Sequence, residues 1–148
     1  MVEIRPFRPE DVDQLQPQYA QEIELASAGD WRHMTRFAAE VGPAWTGVLD
    51  GRVIGCAGFA MRWKGRASAW CIIGADVPRG AWLSIHRGVV ARIAQLPALG
   101  IWRLEAETMH GFIEGARWLR LLGFEHEGLA RGYGPGGQDF GRYARVTL

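Results

Sequence analysis

The sequence predicts an α/β protein of the α+β kind, with one central, mixed, mainly antiparallel sheet flanked by helices. Three observations predict it. Strand-like and helix-like runs alternate along the whole 148-residue chain rather than separating into blocks. Asp50-Gly51 joins two β-rich runs, a strong short-range hairpin signal. A short amphipathic helix stops at Gly123-Phe124, and a strand starts at once. Glycine takes the left-handed position after a helix without a Cβ clash, and a phenylalanine beyond it packs back on the last turn.

Taken in order, Val2, Ile4 and Phe7 mark a first strand. Arg8-Pro9-Glu10-Asp11 opens a helix, because proline and acids suit a first turn. A helical pattern continues over 23–26 until Gly29-Asp30 interrupts it. Asp30 is a good N-cap for a further helix through about Val41. Trp31, Met34, Phe37, Ala38 and Val41 follow helical spacing, as a core-facing stripe does, and Gly42-Pro43 ends the run. The hairpin strands occupy 44–49 and 53–63, and Lys64-Gly65-Arg66 makes the next turn. Residues 67–75 are apolar almost throughout, which predicts a central strand covered on both faces. Pro78-Arg79-Gly80 breaks the chain before a helical stripe of Trp82, Ile85, Val89, Ile93 and Leu96. A strand over 101–108, a helix over 112–122 and strands over about 124–133 and 140–146 complete the pattern, the last two around Gly134-Pro135-Gly136-Gly137. With no repeat, low-complexity tract or linker, residues 1–148 read as a single domain.

Composition narrows the classes. Apolar residues make up 48% and charged residues 22%, an ordinary globular balance rather than a disordered one. A net charge of +1 gives no bulk attraction to nucleic acid or to a membrane surface. Basic residues are arginine except for Lys64. Cys56 and Cys71 fall in apolar strand-like runs and read as buried thiols of a reduced compartment, with a disulfide as the alternative and no metal-ligand spacing. The first residues lack an apolar signal core, and the longest uncharged apolar run, 68–75, is far too short to cross a bilayer. The expectation is a cytoplasmic protein with no membrane partner. By pattern the tryptophans at 31, 45, 63, 70, 82, 102 and 118 read as core.

Leu122-Gly123-Phe124, followed by Glu125, His126 and Glu127, resembles the C-terminal signature of the GNAT N-acetyltransferase superfamily. The element order is also the GNAT order, so the resemblance covers nearly the whole chain. A narrower likeness runs through Glu22-Ile23, the strands around Trp45 and Ala69-Trp70, the Arg117-Trp118-Leu119 helix and the Gly137-Gln138-Asp139 hairpin. These look similar to GNAT-like proteins encoded by tailed bacteriophages, some regarded as acetyltransferases and others as virion-associated proteins. The resemblance implies an N-acyltransferase with acetyl-CoA or another acyl-CoA as co-substrate and no metal. An amine would attack the thioester directly in a ternary complex, with a strand amide stabilising the oxyanion. The acceptor would be a small amine, a peptide N-terminus or a protein lysine. The setting would be the cytoplasm, the host's if the protein is phage-encoded, and a homodimer through the final hairpin fits. The alternative is a catalytically degenerate GNAT-like protein acting as a binding or virion-associated module.

The resemblance also assigns residues. Members bind the CoA pyrophosphate with a Gln/Arg-x-x-Gly-x-Gly/Ala segment, where amides and a helix N-terminus meet phosphate. The corresponding stretch here keeps Arg79 and Gly80 but has no second glycine. Arg79, Gly80 and the amides of Ala81, Trp82, Leu83 and Ser84 are the expected cradle, with Arg87 or His86 one turn later. The other reading of this stretch is a plain loop and a core helix anchored by Trp82. Ile73, Gly74 and Ala75 occupy the strand that splays in the family, where pantetheine amides pair with exposed backbone. The tyrosine that often protonates the thiolate is Leu119 here, which leaves His110, Ser84 or water. Arg117 and Arg120 share the polar face of the last helix, either toward the CoA 3′-phosphate or toward solvent. From the residues themselves, Glu105 and Glu107 alternate on one strand and so share a face. Either could be the general base that deprotonates the amine, Glu107 ahead because it is nearer the strand end, or arginines including Arg103 could neutralise both. Glu22 and Glu24 are further candidates.

Overall fold

Sequence order and spatial order coincide for the first five strands and then reverse. The computed structural model of the chain describes residues 1–18, 21 and 30–148. Its strands are β1 (Glu3–Pro6), β2 (Ala44–Leu49), β3 (Arg52–Trp63), β4 (Arg66–Ile73), β5 (Arg103–Met109), β6 (Glu125–Ala130) and β7 (Phe140–Val146). They form one seven-stranded sheet in the order β1-β2-β3-β4-β5-β7-β6. Every neighbouring pair is antiparallel except β4 and β5. The helices are a 3-10 helix at Pro9–Gln14, α1 (Trp31–Glu40), α2 (Trp82–Ile93) and α3 (Ile113–Leu121). The mixed, mainly antiparallel sheet with flanking helices is the architecture expected from the sequence, and the apolar β4 sits at its centre.

The turn chemistry explains the boundaries. Asp50 and Gly51 both take positive φ, 50° and 76°, in the two-residue turn that joins Leu49 to Arg52. At the end of α3, Gly123 has φ 88°, and its N–H donates to the Arg120 carbonyl at 2.9 Å. The Phe124 N–H reaches back to the Leu119 carbonyl at 3.0 Å. This pair of bonds is a Schellman cap, and Phe124 seats in the core beside it.

Several expectations are corrected. The segment after Arg8 is a 3-10 helix rather than the start of an α-helix, and the helical pattern at 23–26 lies outside the described residues. Asp30 does cap α1, accepting from the His33 N–H at 3.2 Å. The apolar stripe on α1 nonetheless faces outward, since Met34, Phe37 and Val41 are exposed while Thr35 is buried. Thr35 can sit there because its hydroxyl donates to the Trp31 carbonyl at 2.8 Å. None of the tryptophans joins the fully buried core, and Trp63 and Trp102 are exposed. Trp63 carries the Arg66 guanidinium over its ring at 4.1 Å.

α2 and α3 cover one face of the sheet, where Phe59, Ile93, Leu96, Leu104, Ala106, Leu122, Phe124 and Tyr143 form the main core. The opposite face packs Leu15, Val53, Cys56 and Ile72 against Phe7, Trp31 and Trp70. Cys56 lies opposite Ile72 and Cys71 opposite Ala57, so the two free thiols point to different faces of the sheet. Burial pushes Cys56 up to about 11 and Cys71 up to about 12, which leaves both as protonated, unreactive thiols. Among the described residues no helix is long and apolar enough to cross a membrane.

One polar knot ties the N-terminal elements together. Asp11, 1% exposed, receives both Arg5 nitrogens at 2.7 and 2.8 Å, the Thr46 hydroxyl at 2.6 Å and the Arg8 N–H at 2.8 Å. The knot spans β1, the 3-10 helix and β2. Burial raises the Asp11 pKa, but the bonds from Arg5, Thr46 and Arg8 outweigh it and hold the carboxyl below its ordinary value. Its contribution is therefore full above about pH 4, the unfolded value, and is lost as pH falls through the lower folded one. Asp11→Ala is expected to destabilise by about 3 kcal/mol at neutral pH, since it strands a guanidinium and a hydroxyl. Urea unfolding of both proteins checks this, and the gap between them narrows below about pH 4.

Candidate active site

The parallel ladder in the middle of the sheet stops early. β4 and β5 pair only at Arg66–Arg103, Ala67–Leu104 and Ser68–Glu105. β4 then runs on to Ile73 and β5 to Met109, each still paired on its other side. A cleft of about 790 Å³ opens between them. Its walls come from β4 (Trp70, Cys71, Ile73), β5 (Glu107, Thr108), α2 (Trp82) and α3 (Trp118, Leu119). Trp82 and Trp118 meet edge to face at 6.4 Å, and Trp118 Nε1 donates to His86 Nδ1 at 3.1 Å. That bond fixes the His86 tautomer and holds Trp118, on whose ring Trp82 packs edge to face as a lining residue of the cleft. Trp70, Trp82 and Trp118, expected as core, are cleft-wall residues.

The cleft-facing edge of β4 is already partnered. The Gly74 N–H donates to the Ile54 carbonyl of β3 at 2.8 Å, so the flanking residues direct their backbone groups toward the cleft. There the Gln18 N–H donates to the Ile73 carbonyl at 3.0 Å, and the Ala75 N–H donates to the Gln16 carbonyl at 2.7 Å. Pro17 bridges Gly74 in antiparallel fashion. One position further, the Gln21 carboxamide donates from Nε2 to the Cys71 carbonyl and accepts at Oε1 from the Ile73 N–H, both at 2.8 Å. The exposed backbone expected at Ile73, Gly74 and Ala75 is thus satisfied from within the chain.

The expected phosphate cradle is also narrower than the sequence implies. Residues 79–81 form a 3-10 turn in which the Ala81 N–H donates to the Pro78 carbonyl and the Trp82 N–H to the Arg79 carbonyl. Those two amides are spent, because a 3-10 turn closes its bonds one residue sooner than an α-helix. Arg79, Gly80, Leu83 and Arg87 stand exposed, Ser84 is half-buried, and none of them lines the cleft among the described residues. A Cβ on Gly80 would meet nothing within 4 Å, so the backbone there is open to a ligand. Arg117 lines the cleft, whereas Arg120 does not.

The two strand acids share a face but not a fate. Glu105 is buried and ion-paired with Arg66, with Arg103 Nε at 3.4 Å and Arg142 Nη2 at 3.5 Å. The Arg66 bond, with Arg103 in support, holds its carboxyl below the ordinary range against the effect of burial. Such a carboxylate is a poor proton acceptor at neutral pH. Glu107 is exposed and lines the cleft. Tyr133, on the β6–β7 loop, lies close to it; burial first and the Glu107 charge second raise the Tyr133 pKa. His110 is exposed and lies off the cleft wall, its backbone N–H donating to the Asp139 carbonyl at 2.9 Å. Glu22 and Glu24 lie outside the described residues.

A mixed seven-stranded sheet that parts between its fourth and fifth strands decides the comparison. The chain has the GNAT fold. It superposes on a protein provisionally assigned as a phosphinothricin N-acetyltransferase with TM-score 0.77 and 17% identity, over 100% of this chain and 99% of that one. Against a ribosomal-protein-alanine N-acetyltransferase from Brucella melitensis the TM-score is 0.72 at 16% identity, covering 98% and 99%. Against a Bacillus subtilis acetyltransferase in complex with CoA it is 0.71 at 14% identity, covering 99% and 98%. No protein-family model and no curated relative matches the sequence. Within this GNAT fold, the sequence separated Glu107 from Glu105 only by its place nearer the strand end, and nothing in the sequence signalled Gln21 or Tyr133.

Glu105→Gln is expected to lower the urea midpoint, because three guanidinium groups would then surround a neutral amide. Ligand binding in the cleft should be unchanged in the folded variant, which a titration at low urea checks.

Proposed function

We propose that the chain is an acyl-CoA-dependent N-acyltransferase working in the β4–β5 cleft. The observation that carries this is the early end of the β4–β5 ladder, which opens a cleft of about 790 Å³ with strand backbone on one wall. The residues present fit the co-substrate in part. The apolar wall of Trp82, Trp118 and Leu119 suits a pantetheine arm; Arg117 lines the cleft, and Arg79 and the open backbone at Gly80, exposed outside it, are the candidates for phosphate. The Ala81 and Trp82 amides do not contribute, so phosphate is held by fewer groups than the family pattern implies.

Acyl-CoA supplies a thioester whose carbonyl carbon takes the amine lone pair and whose thiolate leaves. Glu107 accepts the proton of the attacking amine, directly or through a water, since it is the exposed acid of the β5 wall. The Ile73 N–H points into the cleft and can donate to the developing oxyanion once its present acceptor moves aside. Leu119 offers no proton to the thiolate, and His110 is out of reach; the buried hydroxyl of Thr108 is a cleft-lining donor that can bond it, with the proton coming from solvent. The acceptor is an amine of a small molecule, peptide or protein.

The partnered strand edge and spent loop amides favour a second reading, in which the fold is a binding module without catalysis. Kinship with bacteriophage-encoded members belongs with that reading and rests on the sequence likeness alone.

Calorimetric titration with acetyl-CoA separates the two, with desulfo-CoA as control. Micromolar binding is expected, and silence up to millimolar ligand sinks the transferase reading. With an acceptor identified, Glu107→Gln should lower kcat about 100-fold while leaving acetyl-CoA affinity unchanged.

A further inference from the structure

A strand edge that would receive the acyl-CoA arm is held by a side chain of the same protein. Gln21 does so with one functional group. A primary carboxamide carries its C=O and one N–H on the same side, so it can accept from the Ile73 N–H and donate to the Cys71 carbonyl at once, each at 2.8 Å. A trans secondary amide points those groups in opposite directions and cannot make both bonds alone. A ligand replacing Gln21 must therefore bring a carbonyl and a separate N–H at strand-like spacing. An acyl-pantetheine thioester has both, in its thioester carbonyl and the N–H of its nearest amide.

A second feature of the same wall also points to a missing acceptor. Trp70 lines the cleft next in sequence to Cys71, and its Nε1 is buried with no hydrogen-bond partner among the described residues. A buried donor without an acceptor is rare in a finished site. A bound chain rich in carbonyl oxygens would supply one, which the donor end of Gln21 cannot.

We propose that Gln21 is an exchangeable cap on an amide-binding strand edge, and that acyl-CoA binds by displacing its carboxamide from Cys71 and Ile73. The inference rests on the acyl-CoA reading above. It makes Gln21 a self-competitor that lowers affinity and keeps the oxyanion donor covered until a ligand with the matching donor and acceptor arrives. An acyl-pantetheine thioester fits; an ester or thioester lacking the amide N–H does not.

The test compares wild type with Gln21→Ala and Gln21→Glu. Acetyl-CoA affinity is measured by calorimetry, and protection of the Ile73 amide by hydrogen exchange. Removing two competing hydrogen bonds should tighten acetyl-CoA binding about tenfold in Gln21→Ala. Its Ile73 amide should exchange faster without ligand and regain protection with it. Gln21→Glu keeps the acceptor at Ile73 but cannot donate to Cys71, and should gain less. Equal or weaker binding by Gln21→Ala, with wild type binding normally, overturns the cap while leaving the transferase reading intact. No binding by any of the three overturns the transferase reading and the cap with it.

Discussion

Backbone groups that lose a strand partner must find another, and this constraint governs the middle of the molecule. Past Ser68, β4 has no neighbour on its β5 side, yet it remains in the sheet and its outward N–H and C=O groups cannot be left bare. The chain answers with the 16–18 segment and the Gln21 carboxamide, laid along β4 from Ala75 to Cys71. That answer fixes where the N-terminal segment must run. It also leaves the cleft with one strand wall, one wall of β5 side chains, and an aromatic wall from the two helices behind it. The Asp11 knot serves the same end, since it anchors the start of this segment to β1 and β2.

The same economy separates the acids of β5. Glu105 sits where β4 and β5 still pair, and arginines from β4, β5 and β7 converge on it. Glu107 sits two residues further, where the strands have parted and no arginine of β4 lies opposite. The end of one ladder thus divides a structural ion from an available carboxylate. A period of two residues in the sequence places both acids on one face, and it carries no information about where a ladder ends.

This marks the boundary of what was legible. The order of strands and helices along the chain, the Asp50-Gly51 turn, the cap at Gly123 and the central position of β4 follow from local chemistry, and local chemistry is what a sequence displays. Features set by distant partners were not legible. The α1 stripe of Met34, Phe37 and Val41 has helical spacing, but the buried position went to Thr35, whose hydroxyl is satisfied by its own helix. The tryptophans read as core because they are large and apolar. Three of them instead line an opening that exists only once β4 and β5 diverge. Gln21 is the extreme case: a single glutamine, with no motif around it, makes two bonds to residues 50 and 52 positions away.

The two ends of the cleft are unequally equipped, and this bears on how affinity would be distributed along a bound acyl-CoA. At the phosphate end, the 3-10 turn consumes the Ala81 and Trp82 amides that a looser loop would leave free. No second glycine is present to reopen that turn. Arg79 is exposed, so its attraction to a phosphate is screened by salt and modest. At the other end the proposed contacts are buried and directional: the β4 N–H and C=O that Gln21 now holds, the indole of Trp70, and an apolar wall. On the acyl-CoA reading, binding energy would therefore be concentrated near the reacting carbonyl rather than at the nucleotide. Such a site would discriminate by the acyl-pantetheine arm, and a shortened co-substrate that keeps the arm should lose less here than in a protein with an intact phosphate loop.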